Sequence, residues 1–280
     1  MQLVMCEYIL QWVEDNINSG SGITALVTLT GYSRRTIELW FSTQYGISLG
    51  SYLFRRRMTR AGVLLKLTNL SITEIALYFH YSSNQNFARA FRNFSGVTPS
   101  YYRNTKGWDM SIMQASLLLN KYVVYDKSIR YLPERYLAGK QYFFKDSFFQ
   151  VDKSENTLNI KRTVIDLIKS GKKDIYLSGM GCPSNNMMKS RGGEVMSIIF
   201  LGFLVNSKNE NSIFINGGKF FCYRFYCKWQ DYYTYTNILF IRILSESNMF
   251  YTGEQCYINF IVDDNKIEDQ VECVFYIPVR

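Results

Sequence analysis

Residues 71–102 read SITEIALYFHYSSNQNFARAFRNFSGVTPSYY, and this stretch predicts the fold of the first part of the chain. Ser71 precedes Glu74 by three residues, the spacing of a capping box, in which each side chain bonds a backbone N–H left over at the helix start. Ser83 follows a short turn and can cap a second helix, and Thr98, which precedes a proline, can cap a third. Two short helices joined by a tight turn predict a helix-turn-helix.

An earlier part of the chain repeats this pattern. Residues before and after the turn recur at an offset of 49: Ile23-Thr24 with Ile72-Thr73, and Tyr32-Ser33 with Tyr81-Ser82. Beyond the turn the offset becomes 50, and Phe41 matches Phe91. We interpret the pattern as one structural unit used twice. The two predicted helix-turn-helix units span about residues 23–45 and 72–94.

The segment between the units, residues 48–67, has the apolar spacing of a helix. A helix of about 17 residues spans roughly 26 Å, which is long enough to hold two reading helices near successive major grooves, about 34 Å apart. Four arginines crowd its polar face: Arg55, Arg56, Arg57 and Arg60. They form either a solvated helix face or a set of phosphate contacts, and their position between two DNA-reading units favours phosphate contact for the first three.

The chain has 280 residues and a net charge of +9, and the positive charge is concentrated near its start. Through residue 107 there are 11 lysines and arginines against 5 acidic residues. A basic region of this kind suits a polyanionic partner. The sequence shows neither a secretory signal nor an apolar run long enough to span a membrane, so we expect a soluble, cytoplasmic protein without membrane contact.

The rest of the chain has a different pattern. Residues 107–120 are predicted to link a first domain, residues 1–106, to a second domain, residues 121–280. Alternating β-branched and aromatic residues predict strands throughout the second domain, with a helix around residues 163–170, which is an α+β arrangement. Residues 231–245 fit either a helix or a strand.

Motifs that carry chemistry are few. The six cysteines form no Cys-x-x-Cys pair, and His80 is the only histidine, so we expect neither a zinc site nor a hydrolase triad. A phosphate-binding loop is also lacking. We therefore predict no metal, no cofactor and no enzymatic activity. The thiols are expected to be reduced and mostly buried, and His80 is interpreted as a turn residue.

The first domain resembles the DNA-binding domain of the AraC/XylS family of bacterial transcription regulators. Three motifs carry the resemblance: Ile75-Ala76, Phe87-x-x-x-Phe91 and Gly96-x-Thr98-Pro99-x-x-Tyr102-Arg103. The resemblance implies a multidomain, nucleoid-associated protein with an N-terminal all-α double helix-turn-helix joined by a linking helix. A C-terminal α+β domain with an antiparallel sheet then follows. This order is similar to the Rob-like branch of the family, whose second domain is a GyrI-like ligand-binding or regulatory domain.

In the second helix-turn-helix unit, helical spacing predicts which side chains reach base edges in the major groove. Gln85 and Arg89 lie four residues apart on one face, and they can bond adenine and guanine respectively. Nearby polar residues are predicted to contact the DNA backbone: Ser83, Asn84 and Asn86.

In the first unit, the resemblance places the base-reading positions at Arg35, Glu38 and Leu39, with Ser33 and Arg34 on the DNA backbone. Rob-like relatives usually carry Trp, Gln and Arg at the three reading positions. Glu38 can only accept a hydrogen bond, for example from cytosine N4, and Leu39 cannot replace an arginine contact. We therefore expect an operator that differs from the Rob operator, with the difference set by the first unit.

In the second domain, the GyrI-like resemblance implies an effector site. The effector would be a small hydrophobic or cationic molecule. The carboxylate of Glu254 would pair with a cation of the effector, and aromatic rings would add cation–π contacts: Tyr223, Tyr226 and Tyr257. Alternatively, Glu254 is an exposed loop residue.

The predicted function is sequence-specific binding of double-stranded promoter DNA by a monomer, because the duplicated units already supply two half-sites. Activation through contact with RNA polymerase is expected. One alternative is a module that sequesters or transforms a small molecule and is carried on a DNA-binding domain. Another makes the second domain an interaction domain that controls the abundance or clustering of the regulator.

Overall fold

The computed structural model describes residues 2–68, 70–147, 155–179, 194–247, 249–261 and 269–280. The chain divides into two compact units. The helical unit comprises Met1–Thr105 and Ile112–Lys121, and the sheet unit comprises Lys106–Ser111 and Tyr122–Arg280. In the described ranges, no helix combines the length and the apolar character that a membrane span requires.

The helical unit contains two helix-turn-helix pairs and a long helix between them. Its helices are α1 (Gln2–Asn16), α2 (Ile23–Thr30), α3 (Arg34–Tyr45), α4 (Leu49–Leu67), α5 (Ile72–Tyr78), α6 (Asn84–Ser95) and α7 (Pro99–Asn104). The α2–α3 and α5–α6 pairs, joined by α4, confirm the predicted all-α domain. A 3-10 helix, Leu117–Lys121, belongs to the same unit.

Capping side chains determine where these helices begin. Ser71 and Glu74 form both bonds of the predicted capping box: Glu74 N donates to Ser71 Oγ at 3.1 Å, and Ser71 N donates to Glu74 Oε2 at 2.7 Å. Ser33, Ser83 and Thr98 each accept a backbone N–H at the start of α3, α6 and α7. Losing such a cap typically costs about 1 kcal/mol.

The two turns use the same backbone conformation at equivalent positions. Gly31 has a φ of 73°, and His80, which is 49 residues later, has a φ of 60°. Both angles lie in the left-handed region, which glycine adopts readily and histidine tolerates better than most residues. His80 is thus a turn residue, and its Nε2 lies 2.9 Å from the carbonyl oxygen of Asn18.

Aromatic rings form much of the core around α4. Phe41 packs against Tyr52 with ring centroids 5.5 Å apart, and Phe91 packs against Phe87 at 5.9 Å and Tyr102 at 5.2 Å. All five side chains are buried. Because Phe87 and Phe91 face this core, the opposite side of α6 faces solvent.

The segment predicted as a linker, residues 107–120, is divided between the two units. Lys106–Ser111 belongs to the sheet unit, and Ile112–Lys121 belongs to the helical unit. Within the helical unit, the backbone N–H of Gln114 donates to Thr59 Oγ1 on α4 at 2.9 Å. The later residues of the segment are therefore held against α4.

The sheet unit is built on antiparallel strands and several helices, which confirms the predicted α+β domain. Its strands are β1 (Trp108–Asp109), β2 (Asp126–Leu132), β3 (Arg135–Ser147), β4 (Ile175–Ser178), β5 (Glu194–Val205), β6 (Ser212–Ile215), β7 (Gly218–Lys228), β8 (Phe250–Tyr251), β9 (Tyr257–Ile261) and β10 (Gln270–Pro278). Eight of them form one sheet in the order β2-β7-β10-β9-β4-β5-β3-β6, and β1 pairs with β8.

The helical elements of the sheet unit are α8 (Glu155–Lys169), the 3-10 helix Trp229–Asp231, the π-helix Thr234–Ile238 and α9 (Leu239–Ser247). The helix expected around residues 163–170 therefore begins earlier. Residues 231–245, which fitted a helix or a strand, are mostly helical. The apolar residues of α9 recur at helical spacing and are buried: Leu239, Phe240, Ile243 and Leu244.

Candidate nucleic-acid interface

The second recognition helix, α6, presents its predicted reading residues to solvent. Gln85 and Arg89 lie on the exposed face, whereas Phe87 and Phe91 are buried on the other face. Both reading residues lie in the first two turns of α6. The start of a recognition helix is the part that reaches base edges when a helix-turn-helix docks in the major groove.

Hydrogen bonds orient the guanidinium of Arg89. Its Nη2 donates to Asn86 Oδ1 at 3.1 Å, and Asn86 Nδ2 donates to Ser82 Oγ at 2.9 Å. Asn84 Nδ2 donates to Thr73 Oγ1 at 2.7 Å, which joins α6 to α5. The bonds from Arg89 to Asn86 and from Asn86 to Ser82 restrict the conformations of Arg89, so less side-chain entropy is lost when Arg89 binds a base.

The first recognition helix, α3, carries a different set of charges. Arg35 is exposed, and Leu39 is 60% exposed, as reading positions require. Arg34 Nε lies 2.9 Å from Glu38 Oε1, and both side chains are solvent-accessible. Because an exposed pair at this spacing contributes only about 0.3–0.5 kcal/mol, a DNA phosphate can displace the carboxylate from Arg34.

The two serines predicted to contact the DNA backbone are both helix caps. Ser33 Oγ accepts the Thr36 N–H at 3.1 Å, and Ser83 Oγ accepts the Asn86 N–H at 3.2 Å. The caps place equivalent helix starts at equivalent positions in the two units. The N–H groups at a helix start favour anions such as phosphate.

Arg56 does not form part of a phosphate-binding face. It is 7% exposed and makes a bidentate pair with Glu14 of α1, from Nε to Oε1 at 2.9 Å and from Nη2 to Oε2 at 2.8 Å. Its Nη1 donates to the Gln114 carbonyl oxygen at 2.7 Å. A guanidinium buried and bonded in this way cannot reach DNA. The expectation of phosphate contact is corrected: Arg56 joins α4 to α1.

Arg55 and Arg57 are also engaged within the helical unit. Arg57 Nε donates to the Ile17 carbonyl oxygen at 3.0 Å, and its Nη2 donates to that of Ser21 at 2.7 Å. Arg55 Nε donates to Gln114 Oε1 at 3.2 Å. Both side chains are half-buried. Both guanidinium groups already bind backbone or side-chain oxygens of this chain, and their contact with DNA phosphate stays a prediction.

Glu14 lies at the centre of this buried network. Burial alone would raise its pKa, but the charge and hydrogen bonds of Arg56, with smaller contributions from Arg60 and Tyr52, lower the pKa of Glu14 to about 2. Tyr52 Oη donates to Glu14 Oε1 at 2.7 Å, and Arg60 Nη2 lies 3.6 Å from Glu14 Oε2. Burial and the charge of Arg56 lower the pKa of Arg60 to about 10. One carboxylate thus compensates two buried cations.

The lowered pKa of Glu14 predicts an acid-sensitive helical unit. The ordinary pKa is 4.5 and the folded-state pKa is about 2, so ionised Glu14 stabilises the fold above pH 4.5, and this stabilisation is lost as the pH falls toward 2. Between about pH 5 and pH 2, we expect wild type to lose about 3 kcal/mol more unfolding free energy than Glu14→Gln. Urea denaturation at each pH measures the difference. The same pH dependence in both proteins would contradict the network.

The residues predicted to bind an effector do not form one site. Tyr223 is buried and donates to the Tyr235 carbonyl oxygen at 2.7 Å, on the face of the sheet that packs against α9. Tyr257 lies on the opposite face, where its ring is 5.7 Å from that of Phe220. Glu254 is exposed. The four predicted residues, Glu254, Tyr223, Tyr226 and Tyr257, therefore do not form one cage, because Tyr223 lies on the face of the sheet opposite Tyr257 and Glu254 lies outside the strands.

A cavity of about 810 Å³ opens between α8 and strands β3 and β5 of the sheet unit. Leu167, Leu201 and Phe203 provide apolar lining, and Asp166 and Glu210 provide carboxylates. Apolar surface with a few polar groups, at this volume, is typical of small-molecule sites. The four predicted effector residues are not among those that line it.

The cysteines in the part of the chain that the structure describes are free thiols. Five are buried thiols, and burial raises the pKa of Cys222 to about 12. Cys182 lies outside the described residues. No group of three or more His, Cys, Asp and Glu side chains is arranged for a metal ion among the residues described.

Two helix-turn-helix pairs joined by one long helix define a DNA-binding protein of the double helix-turn-helix class. Residues 26–105 match the model of a family described as a helix-turn-helix domain. The HTH-type transcriptional activator AarP of Providencia stuartii is 35% identical over 95 residues, which are 34% of this chain and 70% of AarP. The chain belongs to the AraC/XylS family of DNA-binding transcription regulators, which confirms the resemblance seen in the sequence.

Other relatives match over longer stretches. YkgA of Escherichia coli (strain K12) is 29% identical over 178 residues, which are 64% of this chain and 74% of YkgA. The transcriptional regulator Rob of Salmonella typhimurium is 26% identical over 55% of this chain, and the chain spans about half of Rob, 53% of its length. A solved structure, SAV2435 bound to tetraphenylphosphonium, is similar over 56% of this chain and 94% of that chain, with a TM-score of 0.37 and 8% identity.

Proposed function

We propose that one chain reads two successive major grooves of promoter DNA with α3 and α6. The observation that carries the proposal is the duplication of the reading unit. Both helices begin at a serine cap and expose side chains in their first turns. The linking α4 has 19 residues and is about 28 Å long, comparable with the spacing of about 34 Å between successive grooves on one DNA face.

In this proposal, the two helices contact different base groups in the major groove. Arg89 bonds guanine and Gln85 bonds adenine in the half-site of α6. In the half-site of α3, Glu38 accepts from cytosine N4 and Leu39 contacts a thymine methyl group. Arg35 reads a base beside them, while Arg34 and the capped helix starts bind phosphate.

Selection of bound fragments from a random DNA pool tests the proposal. We expect wild type to enrich one asymmetric site with two half-sites about 10 base pairs apart. Glu38→Ala should relax the base preference in one half-site only, because α6 is unchanged in that variant. Relaxation of both half-sites by Glu38→Ala, or a single undivided site for wild type, would refute the assignment of one helix to each half-site.

We propose further that the DNA-bound chain activates transcription by contacting RNA polymerase, as the description of AarP as an activator supports. Transcription in vitro from a promoter that carries the selected site measures the sign of regulation. Increased transcript supports activation, and decreased transcript makes the protein a repressor.

We propose that the sheet unit is a GyrI-like effector domain without enzymatic activity, and the cavity beside α8 supports an effector with an apolar body and a cationic group. Asp166 and Glu210 line the cavity and can pair with the cationic group, which can also take the place of Lys172 Nζ, 4.3 Å from the ring centroid of Phe203. A lipophilic cation that raises the melting temperature of wild type should lose this effect in Phe203→Ala. An unchanged effect would exclude this cavity, and chemical turnover of the compound would favour a catalytic module instead.

A further inference from the structure

We propose that the sheet unit forms a symmetric dimer through the open edge of β2, so that two copies of the chain join their sheets. In the sheet as described, β2 is an end strand and pairs with β7 alone. Its other edge presents backbone N–H and C=O groups that a further strand can bond. The inference does not depend on which DNA sequence the helical unit reads.

The outer strand carries a row of exposed apolar side chains. Tyr125, which precedes β2, is 69% exposed, Ile129 is 47% exposed and Tyr131 is 76% exposed. Successive odd positions of a strand share one face, so Ile129 and Tyr131 lie in one row on β2, and Tyr125 lies in the bend immediately before the strand. Lys127 belongs to the same row, but its Nζ lies 3.3 Å from Glu246 Oε2 on α9. A lysine that points away from its own sheet can prevent a second strand from pairing at an edge. Lys127 is instead paired with Glu246, so it does not block this edge.

The order of charges along β2 selects a second copy of the chain as the partner. When two β2 strands pair antiparallel about Ser128, Asp126 of each lies opposite Arg130 of the other. Continued one residue before the start of β2, the same register sets Tyr125 opposite Tyr131 of the second copy, and symmetry repeats both pairs. Opposite charges and aromatic pairs directly across an antiparallel ladder are stabilising, at roughly 0.2–1 kcal/mol each.

Neighbouring registers lack this complementarity. Centring the pair on Lys127 sets two lysines opposite each other, which is unfavourable. Centring it on Ile129 sets Asp126 opposite Leu132 and leaves the charge without a partner across the ladder. The pairing of Asp126 with Arg130 therefore specifies the register centred on Ser128.

The side chains that would exchange partners already lie together on one face. Arg130 Nη2 is 3.3 Å from Asp126 Oδ2, and Arg130 Nε donates to Ser128 Oγ at 3.2 Å. Both charged side chains are nearly half exposed, at 43% and 49%. In the dimer, each Arg130 turns from the Asp126 of its own strand to that of the second copy, so two ion pairs form across the ladder.

Sedimentation velocity of the full chain over a concentration series tests the dimer. We expect a monomer–dimer equilibrium for wild type, and dimerisation that is about tenfold weaker or more for Arg130→Asp and for Asp126→Arg, because each places like charges opposite each other. An equal mixture of the two variants should restore the dimer, since each supplies the charge that the other lacks. Lys208→Asp, an exposed lysine outside β2, is the matched control and should dimerise like wild type.

Covalent trapping provides a second measurement. Ser128 lies on the proposed symmetry axis, so oxidation of Ser128→Cys with copper–phenanthroline should give much more disulfide-linked dimer than the same treatment of wild type. Circular dichroism checks that each variant keeps its fold. Three results would each overturn the proposal: a wild type that stays monomeric, a dimer that neither single substitution weakens, or a Ser128→Cys protein that does not cross-link.

Discussion

Replacing Glu14 by alanine is expected to lower the free energy of unfolding of the helical unit by about 3–5 kcal/mol. The substitution removes the carboxylate that Arg56 and Arg60 share. Their side chains are 8% and 11% exposed, so water cannot replace the lost partner. Two like charges then remain close together in a desolvated site. The expected loss is large against a typical total stability of about 5–15 kcal/mol.

Asp15→Ala is the matched control, because Asp15 follows Glu14 on α1 but is exposed. Its carboxylate accepts a hydrogen bond from Gln11 Nε2 at the surface, at 2.9 Å. Surface substitutions of this kind usually change stability by less than about 0.5 kcal/mol. Urea denaturation of the full chain, followed by circular dichroism, measures both. Combining Glu14→Leu with Arg56→Met should recover part of the loss, since a buried apolar pair leaves fewer charges uncompensated. Equal losses in Glu14→Ala and Asp15→Ala would contradict the network.

Replacing Arg89 by alanine is expected to weaken binding to the selected DNA site by about 5- to 150-fold, which corresponds to about 1–3 kcal/mol. The guanidinium is held at the start of α6 by Asn86, which Ser82 holds in turn, so the substitution removes an oriented pair of donors. The preference at one base pair of that half-site should relax. Fluorescence anisotropy with the selected site and its single-base variants measures affinity and preference together.

Arg92→Ala removes the same charge from an exposed position of the same helix. Any weakening in this control should be similar for all DNA sequences and should depend on salt, because a phosphate contact carries no base preference. If Arg89→Ala bound the selected site and its variants with wild-type affinities, Arg89 would not be a reading residue.

The helix starts and the duplicated unit were predictable because they depend on neighbours within one turn. The capping box of Ser71 and Glu74 needs only residues three apart, and the structure shows both of its bonds. The match of His80 to Gly31 likewise follows from the repeat, and both residues have positive φ. Local signals of this kind were sufficient to predict the all-α domain and the exposed faces of α3 and α6.

The hydrogen-bond partners of the α4 arginines could not be predicted in the same way, because those partners are distant in the sequence. Glu14 lies 42 residues from Arg56, and helical periodicity cannot show whether a guanidinium faces solvent or a buried carboxylate. One signal was available: Arg56 follows Tyr52 by four residues and therefore lies on the same stripe of α4 as a core tyrosine. A charged residue on an apolar stripe indicates a buried partner.

The predicted effector residues do not lie together because a side chain's face depends on its position within its strand and on the register between strands. Tyr223 and Tyr226 are an odd number of residues apart on β7, so they must point to opposite faces of the sheet. The face of Tyr257 follows from strand register, since it lies opposite Tyr276 in the β9–β10 pair. Register between strands is set by packing across the whole sheet, which sequence alternation alone does not determine.

Hydroxyl-radical footprinting of the full chain on its selected site tests the central claim most directly, namely that one chain reads two successive grooves. The account predicts two protected patches about 10 base pairs apart on the same face of the duplex, with both patches contacted by the same chain. Arg89→Ala should weaken protection of one patch, and Glu38→Ala should alter the other. A single protected patch, or two patches that are contacted by two different chains, would contradict the account.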